Sequence, residues 1–268
     1  MKTPQTIAVI GSGWLGLPLA NFLATQGHRV RASYRREATQ TALLDQNVTP
    51  YLLDLPAQLD SLDAFLQDVT TLVITLPPGG RRLGPAAPAT YLAALAPLAP
   101  YLSADRHVIF TSSTGVYGST TTGTVTEASP LVPDSHSSQA VAAAEQWLGM
   151  HADRLTVLRL AGLFGPGRDP ATFFASGRAV TRADAPVNMV HQADVVRAIG
   201  LCLDGRTTGT FNVCAATHPA KRTFYGNLSR RTGRALPIFV AGGASGKTVD
   251  SSALRRLGWA PQYDNLLI

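Results

Sequence analysis

The chain is short of cysteine, lysine and aromatic residues, and each shortage closes off a class of protein. Only Cys202 and Cys214 are cysteines among 268 residues. They form no Cys-x-x-Cys pair, which argues against a disulfide scaffold and a thiolate metal centre. Each lies in or beside an apolar run and is expected to be a small buried hydrophobe. Only Lys2, Lys221 and Lys247 are lysines, so arginine carries the net charge of +6. The arginines come in scattered pairs (Arg35–Arg36, Arg81–Arg82, Arg230–Arg231) with no dense basic stripe interleaved with aromatics. That pattern suits small anionic molecules and gives no footprint for nucleic acid. No apolar run is long enough to span a membrane, and the N-terminal one breaks at Gly11 before it can form a signal-peptide core. The expectation is a cytoplasmic protein without metal, membrane or nucleic-acid partners. Its size allows a large core with no covalent staple.

What is present is an alternation. Short β-branched runs stand at Thr6–Ile10, Arg29–Ala32, Val48–Leu52, Leu72–Leu76, His107–Phe110 and Leu155–Leu160. Stretches with helical spacing separate them at Trp14–Thr25, Ala38–Asp45, Ser61–Asp68, Ala89–Leu102 and Ser138–Met150. Strands alternating with helices predict crossover units and a parallel sheet. After Ala161 the pattern loosens into a Gly/Pro-dense stretch and short apolar pieces. The predicted architecture is α/β: a Rossmann-type doubly wound parallel sheet over residues 1–160. Residues 161–268 then form a small substrate lobe with segments returning to the sheet. The Thr-rich stretch Ser119–Thr126 reads as an exposed loop.

The strongest local signal is Gly11-Ser12-Gly13-Trp14-Leu15-Gly16, a G-x-G-x-x-G run that follows a strand and opens a helix. Gly11 permits the tight turn, Gly13 lets backbone approach a pyrophosphate, and Gly16 lets helix and strand pack closely. The free N–H groups at the helix start, around Trp14 and Leu15, suit phosphate oxygens. At the end of the second strand an acid would select NAD, whereas arginine suits the 2′-phosphate of NADP. Here the sequence reads Ser33-Tyr34-Arg35-Arg36, so NADP is expected, with NAD as the other option. Asp54, after the third strand, is placed to bond adenine or to cap a turn.

A second glycine-rich stretch, Ala241–Thr248, fits a permissive phosphate-loop pattern ending in Lys247-Thr248. The short remainder of the chain has no room for the further strands and the magnesium-binding acid that a nucleotide triphosphatase needs. It is expected to be a mobile loop before a short helix.

Phe110-Thr111-Ser112-Ser113-Thr114-Gly115-Val116-Tyr117-Gly118 resembles the extended short-chain dehydrogenase/reductase family, the epimerase/dehydratase group. Other pieces resemble it in the family's order: Thr126-Glu127, Pro130–Pro133, Leu158–Gly167, Val187–Ile199, Phe211-Asn212-Val213 and Leu257–Pro261. The resemblance implies hydride transfer between NAD(P) and the carbonyl or hydroxyl of a small molecule, with a nucleotide sugar as one candidate. It implies cofactor contacts at strand ends, namely Leu76, Pro77, Thr111, Ser112 and Ala161. It assigns the catalytic hydroxyl to Ser113, with Thr114 and Tyr117 beside it, and implies a homodimer through the helices at Ala89–Leu102 and Ser138–Met150. One departure stands out. Where the family places Tyr-x-x-x-Lys, this chain has Ser137 and Val141, and no tyrosine is followed by lysine at that spacing. Tyr117, His136 and His191 are the remaining proton-transfer candidates. The alternative to an enzyme is a cofactor-binding or redox-sensing module.

Overall fold

A computed structural model describes residues 4–102, 105–174 and 179–267. Its frame is a seven-stranded sheet in the order β10-β7-β5-β4-β1-β2-β3, with every neighbouring pair parallel. The chain runs β1 (Thr6–Ile10), α1 (Gly16–Thr25), β2 (Arg29–Tyr34), α2 (Glu37–Leu44), β3 (Thr49–Leu52), α3 (Leu62–Leu66), β4 (Thr71–Ile74). It continues through α4 (Gly80–Leu83), α5 (Ala87–Leu95), β5 (His107–Ser113), β6 (Gly123–Val125), α6 (His136–His151), β7 (Leu155–Leu160) and β8 (Gly162–Phe164). The last elements are β9 (Met189–His191), α7 (Gln192–Asp204), β10 (Gly209–Val213), α8 (Lys221–Thr232), β11 (Lys247–Val249) and α9 (Ser252–Arg256).

The predicted Rossmann-type sheet is therefore present. β1, β4 and β5 are buried almost throughout, because helices cover both faces and leave no side for polar alternation. Pro50, which cannot donate to a ladder, lies in the edge strand β3. The predicted helix Ala89–Leu102 is cut short: α5 ends at Leu95 and a 3-10 turn follows over Ala96–Tyr101. Pro97 and Pro100 remove the amide hydrogens an α-helix needs there. Ser119–Thr126 is not wholly a loop, since β6 pairs with β11, and the glycine-rich segment expected to be mobile thus ends in an ordered strand. β10 returns from the second half of the chain to pair with β7. A small separate core of Val187, Met189, Ala215, Phe224 and Leu266 holds the outer lobe. Both cysteines are buried and free, and burial pushes each thiol up to about 12. Among the described residues no helix is long and apolar enough to cross a membrane.

Strand order reverses between β1, from which the chain winds out to β3, and β4, to which it returns. In such sheets the crevice beyond the strand ends at that switch point is where ligands bind.

Candidate dinucleotide site and active centre

The Gly-rich turn sits on this switch point, and its three glycines have three different reasons to be glycine. Gly11 has φ +101°, a conformation that side chains other than hydrogen strain to adopt. A Cβ on Gly16 would stand 2.1 Å from the carbonyl oxygen of Gly11 and 2.8 Å from Thr75 Oγ1, so helix and turn touch with no space between. A Cβ on Gly13 would meet nothing within 4 Å. That open face, before the free N–H groups of α1, has the space and the donors that a pyrophosphate needs. Ser12 Oγ is buried beside it with no partner among the described residues, which native structures rarely tolerate unless a ligand or water completes it. The residues present therefore fit a dinucleotide.

The turn is braced from several sides. Ser33, buried near the end of β2, accepts from Gly11 N–H at 2.9 Å. Thr75 Oγ1 donates to Gly11 O at 2.8 Å and lies 3.1 Å from Ile10 O, joining the ends of β1 and β4. Tyr91 fixes the next residue of that wall by donating to Leu76 O at 2.8 Å. Sequence reasoning singled out neither Ser33 nor Thr75 as a brace, nor the unpartnered Ser12 hydroxyl, since small hydroxyl residues carry no motif of their own.

Trp14 ties the turn to the second half of the chain. Its indole Nε1 donates to Pro166 O at 2.6 Å, Arg168 lies 4.3 Å above its ring, and Gln192 Nε2 donates to Trp14 O. Beyond the end of β2, Arg35 pairs with Asp54 at 3.2 Å, both well exposed. Arg36 is exposed at the start of α2, and no acid precedes Glu37.

At the end of β5, Ser113 caps the 3-10 turn Thr114–Tyr117 by accepting from Gly115 N–H at 3.0 Å. Its oxygen is thus engaged as acceptor while its O–H has no protein acceptor among the described residues. Thr111 Oγ1 donates to Ile74 O at 3.1 Å, linking β5 to β4. Thr114 and Ala161 are both buried.

Two expected site residues lie elsewhere. Tyr117 is fully buried, and its oxygen donates to Asn212 Oδ1 at 2.7 Å while accepting from Arg159 Nη1 at 3.0 Å. Burial raises its pKa despite the arginine beside it. Ser112 bonds Glu145, whose carboxylate pairs with Arg159 at 2.7 Å in a buried ion pair. These residues form one polar network inside the fold that joins β5, β7, α6 and β10. The network departs from the expected proton-transfer role of Tyr117 and from a cofactor contact by Ser112, because a hydroxyl sealed between internal partners does not face an open crevice.

α6 begins with a capping box between Ser135 and Ser138. Ser137, at the position the family gives to tyrosine, rests against α4: a Cβ on Gly80 would lie 2.3 Å from its Oγ. Val141, at the lysine position, is in the core. His136 opens the helix, exposed. His191 stacks on Tyr263 with ring centroids 3.6 Å apart and accepts from Ala193 N–H as the cap of α7. Burial lowers its pKa, and its Nδ1, accepting that bond, carries no proton there.

A parallel sheet with a glycine turn at its switch point, open in front of Gly13, defines a Rossmann-type α/β protein. Residues 7–214 match the NAD dependent epimerase/dehydratase family, and the chain belongs to it. It is 39% identical to Protein YeeZ of Escherichia coli strain K12, over 98% of each chain. Among solved structures it resembles a conserved protein from Silicibacter pomeroyi, with TM-score 0.79, 25% identity, and 98% and 95% of the two chains covered. It also resembles the fold of UDP-glucose 4-epimerase with UDP-glucose from Thermotoga maritima, with TM-score 0.76, 21% identity, and 98% and 96% covered. A further fold neighbour is Bordetella bronchiseptica WbmG in complex with NAD and UDP, with TM-score 0.78, 19% identity, and 98% and 92% covered.

Proposed function

We propose that this protein is a hydride-transfer enzyme of the epimerase, dehydratase or reductase kind, with NADP as the preferred cofactor. The observation that carries the reading is Ser113 at the end of β5, in the same sheet as an open phosphate cradle at Gly13, with its O–H unspent. When bound, the nicotinamide supplies a hydride donor or acceptor. The chain's own part is to hold the phosphates on the α1 start, to receive a charged ribose substituent at Arg35 and Arg36, and to polarise a substrate oxygen through Ser113.

Arg35 supports the NADP preference. Its pair with Asp54 is exposed, and such pairs contribute little, so the guanidinium is readily recruited to a phosphate. In place of the family's tyrosine and lysine, proton transfer then runs through Ser113, water or the substrate itself. The buried Arg159–Glu145–Tyr117 network keeps β5 and α6 in register behind that serine.

A second reading, a cofactor-binding module without turnover, is favoured by Val141 in the core where a lysine would hold the ribose. Calorimetric titration with NADP and NAD, followed by a substrate screen with Ser113→Ala and Ser137→Ala, separates the two. NADP should bind at least tenfold more tightly than NAD, and only Ser113→Ala should strongly reduce turnover. Equal affinities would refute the NADP preference. An inactive Ser137→Ala beside a normal Ser113→Ala would overturn the assignment of Ser113. Tight binding with no substrate turned over would favour the module.

A further inference from the structure

The glycine-rich stretch before Lys247 has no place in a nucleotide triphosphatase, yet its lysine reaches a distinctive position. Asn188 fixes the segment, donating to Lys247 O at 2.9 Å and accepting from Val249 N–H at 2.8 Å. Asn188 O also accepts from Gly162 N–H at 3.0 Å, just beyond the end of β7. β7 lies beside β5, with Leu160 in register with Ser113. Lys247 is thereby anchored on the crevice side of the sheet. Its ammonium donates to Gly118 O, and Arg182 donates to the next carbonyl, Ser119 O, at 2.7 Å. Both carbonyls belong to the loop that follows the Ser113 turn. Lys221 joins from α8, donating to Thr181 O at 3.3 Å beside Arg182.

The charges do not balance. Arg182, Lys221 and Lys247 are each half-buried, and among the described residues none forms an ion pair with a carboxylate. Two acids lie close, and both are occupied. Asp184 bonds Arg222 and Gly242 N–H, and Asp134 accepts from the N–H and hydroxyl of Ser119. Burial lowers the pKa of both lysines, and Arg182 pushes each further down, with Asp134 partly offsetting this at Lys247. Among the described residues, backbone carbonyls are their only hydrogen-bond acceptors. Half-buried cations of one sign, drawn together from three segments and only partly offset by Asp134, are costly unless an anion joins them.

We propose that Arg182, Lys221 and Lys247 form a site for an oxyanion, a phosphate or carboxylate group carried by the substrate, above the Ser113 end of the sheet. The arginine offers a planar fork and the lysines two adjustable point charges, a set that suits either group. That this anion belongs to the substrate rests on the hydride-transfer reading above. The anion site itself does not.

The test is calorimetric titration of inorganic phosphate, and separately of malonate, into the full chain saturated with NADP, at ionic strength matched with chloride. NADP keeps the phosphate cradle at Gly13 from capturing the probe. One probe should bind, and the arm that binds tells phosphate from carboxylate. Lys247→Gln and Arg182→Gln should each weaken it about tenfold or more, the loss expected for one charge-assisted hydrogen bond. Lys247→Arg should retain binding, and Lys221→Gln, which frees no carbonyl of the Ser113 loop, should weaken it without loss of fold. Thermal unfolding without probe checks that the variants are folded. Failure of both probes to bind, or wild-type affinity in folded Lys247→Gln and Arg182→Gln, overturns the proposal. Probe binding that these variants lose, in a protein that fails to bind NADP, upholds the anion site and refutes the hydride-transfer reading instead.

Discussion

Gly13 and Gly16 belong to one motif but should respond oppositely to the same added methyl group. In Gly16→Ala the new Cβ would stand 2.1 Å from Gly11 O and 2.9 Å from its carbonyl carbon. Those are backbone atoms braced by Thr75 and Ser33, so relief requires α1 to move off β1 by more than an ångström. Overpacking of this kind costs about 1–3 kcal/mol or more, which lowers the unfolding temperature by roughly 2–4 °C per kcal/mol at this chain length. In Gly13→Ala the Cβ meets open space. The apo protein should keep its melting temperature within about a degree or two, since Gly13 does not have a positive φ and alanine adopts its backbone conformation without strain. The methyl then occupies the space the pyrophosphate needs. Losing one or two charged hydrogen bonds of about 1.5–3 kcal/mol each weakens binding about tenfold to a hundredfold or beyond. Differential scanning fluorimetry without cofactor and calorimetric titration with NADP read the two effects separately. A Gly16→Ala protein as stable as wild type would refute the packing argument. A folded Gly13→Ala protein that binds NADP like wild type would refute the placement of the phosphates.

Three further outcomes follow from other parts of the fold. Arg159→Met should destabilise the protein by about 3–5 kcal/mol by stranding the buried Glu145, while Arg159→Met with Glu145→Leu should recover much of it; urea unfolding of both variants checks this, and additive losses would contradict it. Burial holds His107 neutral, with a pKa of about 4, while in the unfolded chain it protonates below about 6.5. Stability should therefore be fully present above pH 6.5 and fall by about 2–3 kcal/mol as the pH drops from there toward 4, and His107→Gln should flatten that slope in urea titrations across the range. Trp14→Phe removes the bond to Pro166 O but keeps a ring under Arg168, so it should cost about 1 kcal/mol of stability; an unchanged melting temperature would mean that the tie between turn and lobe carries no load.

The sequence by itself determined the frame. Alternating β-branched runs and helical spacing give a parallel sheet because strands covered on both faces must be apolar throughout, and that constraint is written in consecutive residues. The glycine run was legible for the same reason: a turn, a close approach and a tight packing contact each exclude a side chain at a fixed spacing. The substitution of Ser137 and Val141 at the tyrosine and lysine positions was also visible, since it needs only counting along one helix. Only the tertiary structure decided what surrounds these residues. Tyr117 and Ser113 are four residues apart in similar company, yet one is sealed against Asn212 and Arg159 and the other caps a turn with its proton unspent. Which fate befalls each depends on β10 and β7, brought in from far along the chain. The braces Ser33 and Thr75, the tie from Trp14 to Pro166, and the meeting of Arg182 and Lys247 on one loop, with Lys221 beside Arg182, are likewise contacts between distant segments. No local pattern encodes them, because each residue type is common and only the sheet order and the returning lobe bring the partners within reach.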